Sequence, residues 1–470
     1  MNNISKFDTA PIFVVGSGPA GLAAAHRLQR EGHRALVLEA LGRPGGMIRT
    51  CREAGYLMEE GATILPSSYK PMLDIVKEIG ITGRLVPAGA IVGFCREGKI
   101  HDLRSNRLFL DAVRSNLISG LSKLAMTRLG IDNARIRPHL NYEDLSETAD
   151  FDTMTPKQYC EKHWGLSGEV YEYVIDSTVR GVLGTRGDKI SLAELFFMIN
   201  NILGSRLYAF INGFSEYVEA VAAPLDVRLN AKVQEIIETA DGVRVTWVDH
   251  AGAAHVEDGA GAIVTVRGDW LPDLLPGYMD ADCELFLRNL QYTKCVVMNT
   301  GLVKKPAGIA ASVVQVPRLV DEGLMAFTCE HNKAPGRAPA GKGLIALMSM
   351  TEWAQTLIEE DDDSVRRKFL IAAEKVIPGI SDDVDYTKIS RWHNIVVYSH
   401  PGLYRQLGEF LKRRPRNTRI QLGGAFFSST NLCSATAGGE RAVRDLLPVI
   451  RGEVATRAHR PRQNQSTIRS

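Results

Sequence analysis

The residues whose types and spacing point most directly to chemistry lie near the start of the chain. Gly16-Ser17-Gly18-Pro19-Ala20-Gly21 is a complete G-x-G-x-x-G pattern, and the acidic residue Glu39 follows 18 residues after its last glycine. Glycines at these positions permit a tight turn, close approach of a pyrophosphate to the backbone and close packing of a helix on a strand. Free N–H groups at a helix start attract phosphate, and a carboxylate at this distance accepts hydrogen bonds from a ribose 2′-OH. The spacing therefore predicts a dinucleotide site.

The segments around these glycines have the composition of the elements that must position them. Residues 12–15 (IFVV) are typical of a buried parallel strand, residues 22–29 of a helix, and residues 35–38 (ALVL) of a second strand ending at Glu39. A glycine-rich turn without a ligand is the alternative interpretation. Strand, glycines, helix, strand and acid in this order favour the dinucleotide site.

Two segments downstream resemble the FAD-dependent amine oxidase superfamily, which also contains protoporphyrinogen oxidases and phytoene-type desaturases. Residues 39–50 (EALGRPGGMIRT) are similar to its E-A-x-x-R-x-G-G-R-x-x-T segment, with Met47 where an Arg or Lys is usual. Residues 55–62 (GYLMEEGA) are similar to its G-[FY]-x-x-E-x-G stretch, which runs beside the isoalloxazine ring. The resemblance implies FAD as the cofactor, and it adds to the expected contacts Ala40, Arg43, Gly46, Met47, Gly61, Ala62 and Thr63.

The resemblance continues to about residue 450. Residues 179–192 are similar to an S-G-[IV]-x-x-G-D-x-x-x-L-S motif, and residues 391–411 to a segment of protoporphyrinogen oxidases. Gly439-Glu440-Arg441-Ala442 matches the superfamily's G-E-R-A signature in its last helix. By this resemblance we expect further cofactor contacts from Val233 (through its backbone, to adenine), Trp392, Gly424, Asn431 and Leu432.

Lys294 is the candidate catalytic residue. It stands in a Y-T-K-C-V-V sequence, and amine and polyamine oxidases have a lysine in a similar context, where it holds a water next to flavin N5. A cation at that point would stabilise negative charge developing on the reduced flavin and during its reoxidation. The alternative is a lysine at a strand end whose ammonium extends into solvent.

Three side chains are candidates for the substrate pocket, namely Tyr398, His400 and Phe427. Amine oxidases usually frame the flavin with aromatic side chains, and the corresponding positions here are Ser428 and Asn431. The resemblance therefore implies a more polar, or differently shaped, substrate than a simple amine.

The order of the motifs predicts an α/β and α+β protein in which a Rossmann-like FAD-binding domain is assembled from discontinuous segments. We assign residues 8–100, 211–275 and 386–450 to that domain. A mixed-sheet and helical substrate domain would then comprise residues 101–210 and 276–385. Residues 451–470, with five arginines and one glutamate, form a basic tail that we expect to be disordered.

Composition excludes several other classes of protein. Fifty-six Lys and Arg against 54 Asp and Glu give a net charge of +2, which argues against a nucleic-acid-binding protein. The seven cysteines are widely spaced without a C-x-x-C pair, so we expect reduced thiols and no metal site. The sequence shows neither a signal peptide nor an apolar run long enough to span a membrane. We therefore expect a cytoplasmic protein.

The stretch 104–128 carries five basic residues and one acidic residue, with Leu110, Val113, Leu117, Leu121 and Leu124 at helical spacing. The corresponding insert of protoporphyrinogen oxidases contributes to the substrate domain and can touch a membrane. We favour a helix packed over the active site with a solvated basic face, and keep contact with a membrane surface as the less favoured alternative. A homodimer is also compatible with the sequence.

The predicted function is that of an FAD-dependent oxidase or dehydrogenase, which removes hydride from a C–N or adjacent C–C bond of a small molecule. A second G-x-G-x-x-G is absent from the sequence, so we expect O₂ or a quinone as the electron acceptor. The preferred form is a specialised relative of amine and protoporphyrinogen oxidases. Protoporphyrinogen oxidase itself and a flavin-dependent desaturase or isomerase are alternatives, and a non-catalytic flavin-binding protein is a remote one.

Overall fold

The computed structural model describes residues 10–202, 204–454 and 456, and the side chains of residues 108 and 109 are not described. Most of the predicted tail at 451–470 therefore lies outside the described residues. In chain order the strands and helices are β1 (Ile12–Val15), α1 (Pro19–Arg30), β2 (Ala35–Leu38), β3 (Thr50–Glu53), β4 (Tyr56–Glu59), β5 (Leu65–Pro66), α2 (Lys70–Glu78), β6 (Leu85–Pro87), β7 (Ile91–Arg96), β8 (Lys99–Arg104), α3 (Leu108–Arg114), α4 (Gly120–Ile136), α5 (Pro156–Lys162), α6 (Asp176–Leu183), α7 (Leu192–Ile202), β9 (Leu207–Phe210), α8 (Ser215–Ala222), β10 (Asp226–Arg228), β11 (Lys232–Glu238), β12 (Val243–Val248), β13 (Ala254–Gly259), β14 (Gly261–Val264), α9 (Leu271–Leu274), α10 (Ala281–Arg288), β15 (Cys295–Leu302), β16 (Val313–Gln315), β17 (Leu324–Cys329), α11 (Glu330–Lys333), β18 (Gly343–Ser349), α12 (Thr351–Leu357), α13 (Asp362–Glu374), β19 (Val384–Trp392), α14 (Leu403–Arg413), β20 (Ile420–Leu422) and α15 (Leu432–Ile450).

A parallel sheet of five strands carries the glycine motif. Its strand order is β10-β2-β1-β14-β20, so segments distant in sequence lie side by side. Strands β1, β2, β14 and β20 are buried along their whole length, which explains their nearly continuous apolar sequences. The predicted strands at 12–15 and 35–38 are confirmed. The predicted helix is also present, but it begins at Pro19, inside the glycine motif.

A second, seven-stranded sheet has the order β19-β15-β18-β17-β16-β7-β8 and is antiparallel except where β16 pairs with β7. One of its faces packs on α12 and α13 through apolar side chains that include Val296, Ile345 and Phe369. Strands β7, β8 and β19 belong to this sheet, so the predicted domain boundaries at 100 and 386 cut across hydrogen-bonded strands. The protein is thus a mixed α/β protein with two large sheets.

The remaining strands form three small sheets. Strands β11, β12 and β13 form an antiparallel sheet. Strands β3 and β4 form a second hairpin directly after the glycine-rich turn at 42–46, and β5 and β6 both pair with β9.

The basic stretch 104–128 differs from the prediction. It forms two helices, α3 and α4, and Ser119 caps the second by accepting a hydrogen bond from the Ser122 N–H. Because the chain turns between them, the predicted apolar face does not continue, and only Leu117 of the five residues is buried. The side chains of Leu121 and Leu124 are 66% and 61% exposed. The predicted packing of this face is therefore wrong. In the described part of the chain, no helix is long and apolar enough to cross a membrane.

Candidate cofactor and active site

The glycine motif lies in the turn from β1 to α1, and its three glycines are needed for different reasons. Gly16 has a φ of +95°, which favours glycine. A Cβ atom at Gly21 would lie 1.8 Å from the Gly16 carbonyl oxygen, so the packing of helix on turn excludes any side chain there. A Cβ atom at Gly18 would meet no protein atom within 4 Å, although Gly18 is the N-cap of α1. The space beside Gly18 is where a pyrophosphate at the helix start would fit.

Glu39, the predicted ribose ligand, lies at the end of β2 and is held in place by the same turn. Its Oε2 accepts hydrogen bonds from the N–H and the hydroxyl of Ser17 at 2.7 and 2.6 Å. Its Oε1 accepts from the Leu41 N–H at 2.8 Å. Each carboxylate oxygen retains further acceptor capacity, so this orientation is compatible with accepting from ribose hydroxyls.

The second glycine-rich turn packs directly on the first. The Gly45 N–H donates to the Ser17 carbonyl at 2.9 Å, and a Cβ atom at Gly46 would lie 3.3 Å from the Gly18 Cα. Arg43 donates to carbonyl oxygens within its own turn, including Gly46 O at 2.8 Å, and burial lowers its pKa. Arg43 therefore shapes the turn, whereas the Met47 side chain is 39% exposed beside it.

The predicted flavin segment follows β4. Residues 56–60 and 65–66 are buried, but Gly61, Ala62, Thr63 and Ile64 between them are only half-buried. A Cβ atom at Gly61 would lie 2.1 Å from the Met47 carbonyl oxygen, so the glycine is required by the crossing of two backbones. The half-buried surface of this segment is where a cofactor would contact it.

The last helix approaches the glycine motif from the other side. A Cβ atom at Gly439 would lie 2.0 Å from the Ala20 carbonyl oxygen, and one at Gly438 would lie 2.7 Å from that of Gly424. These contacts explain the small residues before the G-E-R-A signature, and they bring the N-terminal part of α15 close to that of α1. Asn431 is the N-cap of α15, and its Oδ1 accepts from the Ser434 N–H at 2.8 Å. Its side chain is thus occupied by the helix, which begins at Leu432.

Lys294 lies immediately before β15. Its N–H donates to Thr351 Oγ1 at 3.1 Å, while its ammonium group makes no hydrogen bond or ion pair with any described residue, and the residue as a whole is half-buried. The next residue, Cys295, pairs with Trp392 across the sheet, and a Cβ atom at Gly61 would lie 3.6 Å from the Trp392 ring. Trp392 thus connects the strand that follows the candidate catalytic lysine to the predicted flavin segment.

Trp392 joins β19 of the seven-stranded sheet to the segment after β4. Its indole N–H donates to the Glu60 carbonyl oxygen at 2.6 Å. The carboxylate of Glu60 in turn accepts from the Ser390 hydroxyl at 2.8 Å and pairs with Arg49 at 3.3 Å. Val233, the predicted adenine contact, lies farther away on β11, buried and paired with Trp247.

The three candidate pocket residues have different environments. Tyr398 is half-buried, burial raises its pKa, and its N–H donates to the Gln291 carbonyl, three residues before Lys294. His400 is half-buried, with Nδ1 3.0 Å from the Pro401 carbonyl oxygen. Phe427 is fully buried, with the Arg441 guanidinium 3.9 Å from its ring centroid and the Phe426 ring 4.2 Å away. Other residues therefore cover the Phe427 ring in this structure, and its place in the pocket stays a prediction.

Two buried ion pairs that no sequence pattern predicts flank the flavin segment. Arg337 donates to Glu59 Oε1 at 2.7 Å, and Lys333 pairs with Glu330. All four side chains are at most 1% exposed. Burial raises the pKa of Glu59 and lowers that of Lys333. The residues after β17 match no motif, so only the three-dimensional structure brings them to residues 59–63.

These features together fit an FAD-dependent oxidoreductase. They are a buried parallel sheet, two helix starts beside an open glycine, an oriented carboxylate and a lysine near a half-buried turn. Comparison with known proteins agrees, since the model of the flavin-containing amine oxidoreductase family matches residues 19–447. The chain belongs to the flavin-containing amine oxidoreductase family, and it is an FAD-dependent enzyme.

Individual relatives are distant. The chain is 22% identical over 491 residues to coproporphyrinogen III oxidase of Bacillus subtilis, a match that covers 93% of this chain and 97% of that protein. It is 29% identical over 188 residues to mitochondrial protoporphyrinogen oxidase of Nicotiana tabacum, covering 39% of this chain and only 35% of that protein. The solved structure of putrescine oxidase bound to putrescine is similar with a TM-score of 0.73 at 16% identity, covering 93% of this chain and 99% of that one. This last similarity shows the fold alone.

Proposed function

We propose that the protein oxidises a small molecule by removing hydride from a C–N bond or an adjacent C–C bond, and that Lys294 is its catalytic lysine. The observation that carries this proposal is that half-buried Lys294 has a side chain with no hydrogen bond or ion pair to any described residue, while the next residue pairs with Trp392, which lies against the Gly61 turn. A lysine that merely ended a strand would be expected to extend into solvent.

The proposed FAD site uses both helix starts. Gly16 to Gly21 would hold the pyrophosphate, Glu39 the ribose and the Val233 backbone the adenine. The remaining contacts would come from the two turns after β2 and β4 and from the start of α15, namely Ala40, Arg43, Gly46, Met47, Gly61, Ala62, Thr63, Trp392, Gly424, Asn431 and Leu432. In this proposal the parallel sheet is the core of a Rossmann-like FAD-binding domain, and the seven-stranded sheet is the core of the substrate domain.

Lys294, Trp392 and Tyr398 would each have a separate role in the reaction. Bound FAD supplies the hydride acceptor. The Lys294 ammonium would donate a hydrogen bond to a water at the reacting centre and stabilise negative charge there. Trp392 would exclude bulk water from one side, and Tyr398, whose backbone hydrogen-bonds to Gln291, would contact the substrate.

Porphyrinogen oxidation is the second candidate. It is favoured by the match to coproporphyrinogen III oxidase along nearly the full length of both chains. A desaturase or isomerase reaction and non-catalytic flavin binding are less favoured, because neither would explain an unpaired lysine at this position.

Anaerobic mixing of the FAD-loaded protein with a panel of substrates tests the proposal. Putrescine and other amines, coproporphyrinogen III and protoporphyrinogen would be compared by the bleaching of the flavin absorption band. We expect either the amines or the porphyrinogens to reduce the flavin at least as fast as the enzyme turns over that substrate. A protein that binds no FAD, or a flavin that no member of either class reduces, would contradict the proposal.

The finer predictions about partners and location are parts of the same proposal. O₂ or a quinone would accept the electrons, the protein would act in the cytoplasm, and it would form a homodimer. Contact with an anionic membrane surface through residues 104–128 now has specific support. Leu121 and Leu124 are exposed on α4, and Arg128, four residues after Leu124 on the same helix, is 43% exposed although it pairs with Asp132, so apolar and basic side chains share this surface.

A further inference from the structure

The flavin segment at 59–63 is anchored at both ends by buried charged groups. At its start, the Glu59 carboxylate accepts from Arg337, from the Phe214 N–H at 3.1 Å and from the Thr50 hydroxyl at 2.7 Å. The Asn299 side chain donates to the Glu59 carbonyl oxygen at 3.0 Å. These contacts connect the start of the segment to β15 of the seven-stranded sheet, to β3 and to the residues that follow β9 and α11.

At the other end, the ammonium of Lys333 donates to both the Thr63 hydroxyl and Glu330 Oε1. The same carboxylate oxygen accepts from the Thr328 hydroxyl at 2.7 Å and lies 3.3 Å from Thr63 Oγ1. Lys333 and Glu330 are both fully enclosed, whereas Thr63 is half-buried. Thr63 thus connects an enclosed ion pair to the surface that would contact the cofactor.

Stability alone is a poor explanation for this arrangement. Enclosing an ion pair costs desolvation that its attraction often fails to repay, and apolar residues of similar size are often as stable. Burial opposes the charged form of Lys333, while the charges of Lys333 and Arg337 lower the pKa of Glu330 despite its burial. An ion pair has the advantage of fixing the position of a hydroxyl group in one geometry.

We propose that Lys333 is a positioning residue, which together with Glu330 holds the Thr63 hydroxyl and thereby fixes the Gly61–Thr63 turn for binding of the flavin. This inference rests on the proposed FAD site. It adds to that site a residue that neither the motifs nor the resemblance indicates. Lys333 acts through Thr63 and does not itself touch the cofactor.

A double-mutant cycle on FAD affinity tests this role. E330Q/K333M removes both charges together, so no unpaired buried ion remains, and T63V removes the hydroxyl at nearly constant volume. The apo-protein variants are titrated with FAD while flavin fluorescence is followed, and their melting temperatures are recorded in parallel. T63S, which keeps the hydroxyl, is the matched control.

We expect E330Q/K333M and T63V each to raise the FAD dissociation constant about tenfold, and the triple variant to raise it no further, because coupled residues are not additive. T63S should bind FAD within about twofold of the wild type. Additive losses, or a lower melting temperature with unchanged FAD affinity, would overturn the role of Lys333. If E330Q/K333M does not fold, a T63V variant with wild-type affinity still overturns it. Absence of FAD binding in the wild type would instead overturn the proposed function.

Discussion

Replacing Gly18 by alanine has opposite expected effects on the apo-protein and on cofactor binding. Gly18 has φ −68° and ψ 178°, a conformation that alanine adopts without strain, and an added methyl group would meet no protein atom within 4 Å. Since alanine lowers the entropy of the unfolded chain, we expect G18A to stabilise the apo-protein by about 0.4–1 kcal/mol. In the FAD complex, the same methyl group would enter the space proposed for the pyrophosphate.

The loss of affinity can be bounded by the cost of overpacking. An extra methyl group in a well-packed site costs about 1–3 kcal/mol, which corresponds to an FAD affinity about 5- to 150-fold lower. Urea denaturation of the apo-protein gives the first quantity, and titration with FAD gives the second. The pair of results distinguishes a glycine kept for a ligand from one kept for folding.

Gly21 provides the matched control. Its added Cβ would lie 1.8 Å from the Gly16 carbonyl oxygen, so G21A should destabilise the apo-protein by about 1–3 kcal/mol or more. If G18A binds FAD as tightly as the wild type, the pyrophosphate does not lie beside Gly18 and the assignment of this site fails. If G18A destabilises the apo-protein as G21A does, our reading of the local packing is wrong.

Three further predictions concern other parts of the molecule. K294M should slow turnover or flavin reoxidation about tenfold or more, because a stabilising charge is lost. K304M, at an exposed position, should not slow either rate. Stopped-flow kinetics measures both variants, and equal rates in K294M and the wild type would remove Lys294 from the mechanism. Glu169 accepts hydrogen bonds from the Ser119 N–H, the Ser122 hydroxyl and Arg96, which lower its pKa to about 2. A carboxyl group whose pKa is lower in the folded than in the unfolded protein adds stability above its unfolded pKa, and this stability is lost as pH falls through its folded pKa. E169Q should therefore lower the melting temperature at pH 7, and progressively less as pH falls from about 4.5 towards 2. A difference in melting temperature between E169Q and the wild type that stays constant with pH would refute this. The exposed pair is tested with L121S/L124S, which should sediment less than the wild type with vesicles containing phosphatidylglycerol. Neither the variant nor the wild type should sediment with phosphatidylcholine vesicles. Equal sedimentation of the two proteins with the phosphatidylglycerol vesicles would exclude this surface as a membrane contact.

How far the sequence predicts the structure depends on whether the relevant contacts are local. The strand, glycine turn and helix at the start of the chain are predictable, since Gly16, Gly18 and Gly21 lie in one short segment between the strand and the helix. The apolar spacing from Leu110 to Leu124 misleads, because the turn before Ser119 breaks the helix and changes which side faces solvent. The burial of Phe427 is likewise not predictable, since Arg441 covers its ring and no linear pattern reveals the direction of that side chain.

The site also contains residues that only tertiary structure could identify. Lys333 and Arg337 follow β17 and reach the turn after β4, about 270 residues earlier in the chain, through contacts that leave no spacing in the sequence. Their charges would ordinarily predict a solvated loop, because lysine and arginine are almost never fully enclosed unless paired. Glu330 is three residues before Lys333 in α11, whereas Glu59, the partner of Arg337, becomes apparent only when β4 is seen beside β15 and β18.

The two large sheets divide the work of the site, and this division bears on substrate choice. The parallel sheet and its connections carry Glu39, Gly18 and the start of α15. The seven-stranded sheet carries Trp392 at the end of its edge strand β19, and Lys294 just before the neighbouring strand β15. Met348, Trp392 and Ile395 are half-buried and pack on a small apolar cluster that includes Cys295, the residue after Lys294. In the proposed function, a substrate that reaches Lys294 would contact residues of the seven-stranded sheet, while the cofactor contacts other than Trp392 would lie elsewhere. We therefore expect substitutions in this sheet away from Trp392 to alter substrate choice more than FAD binding.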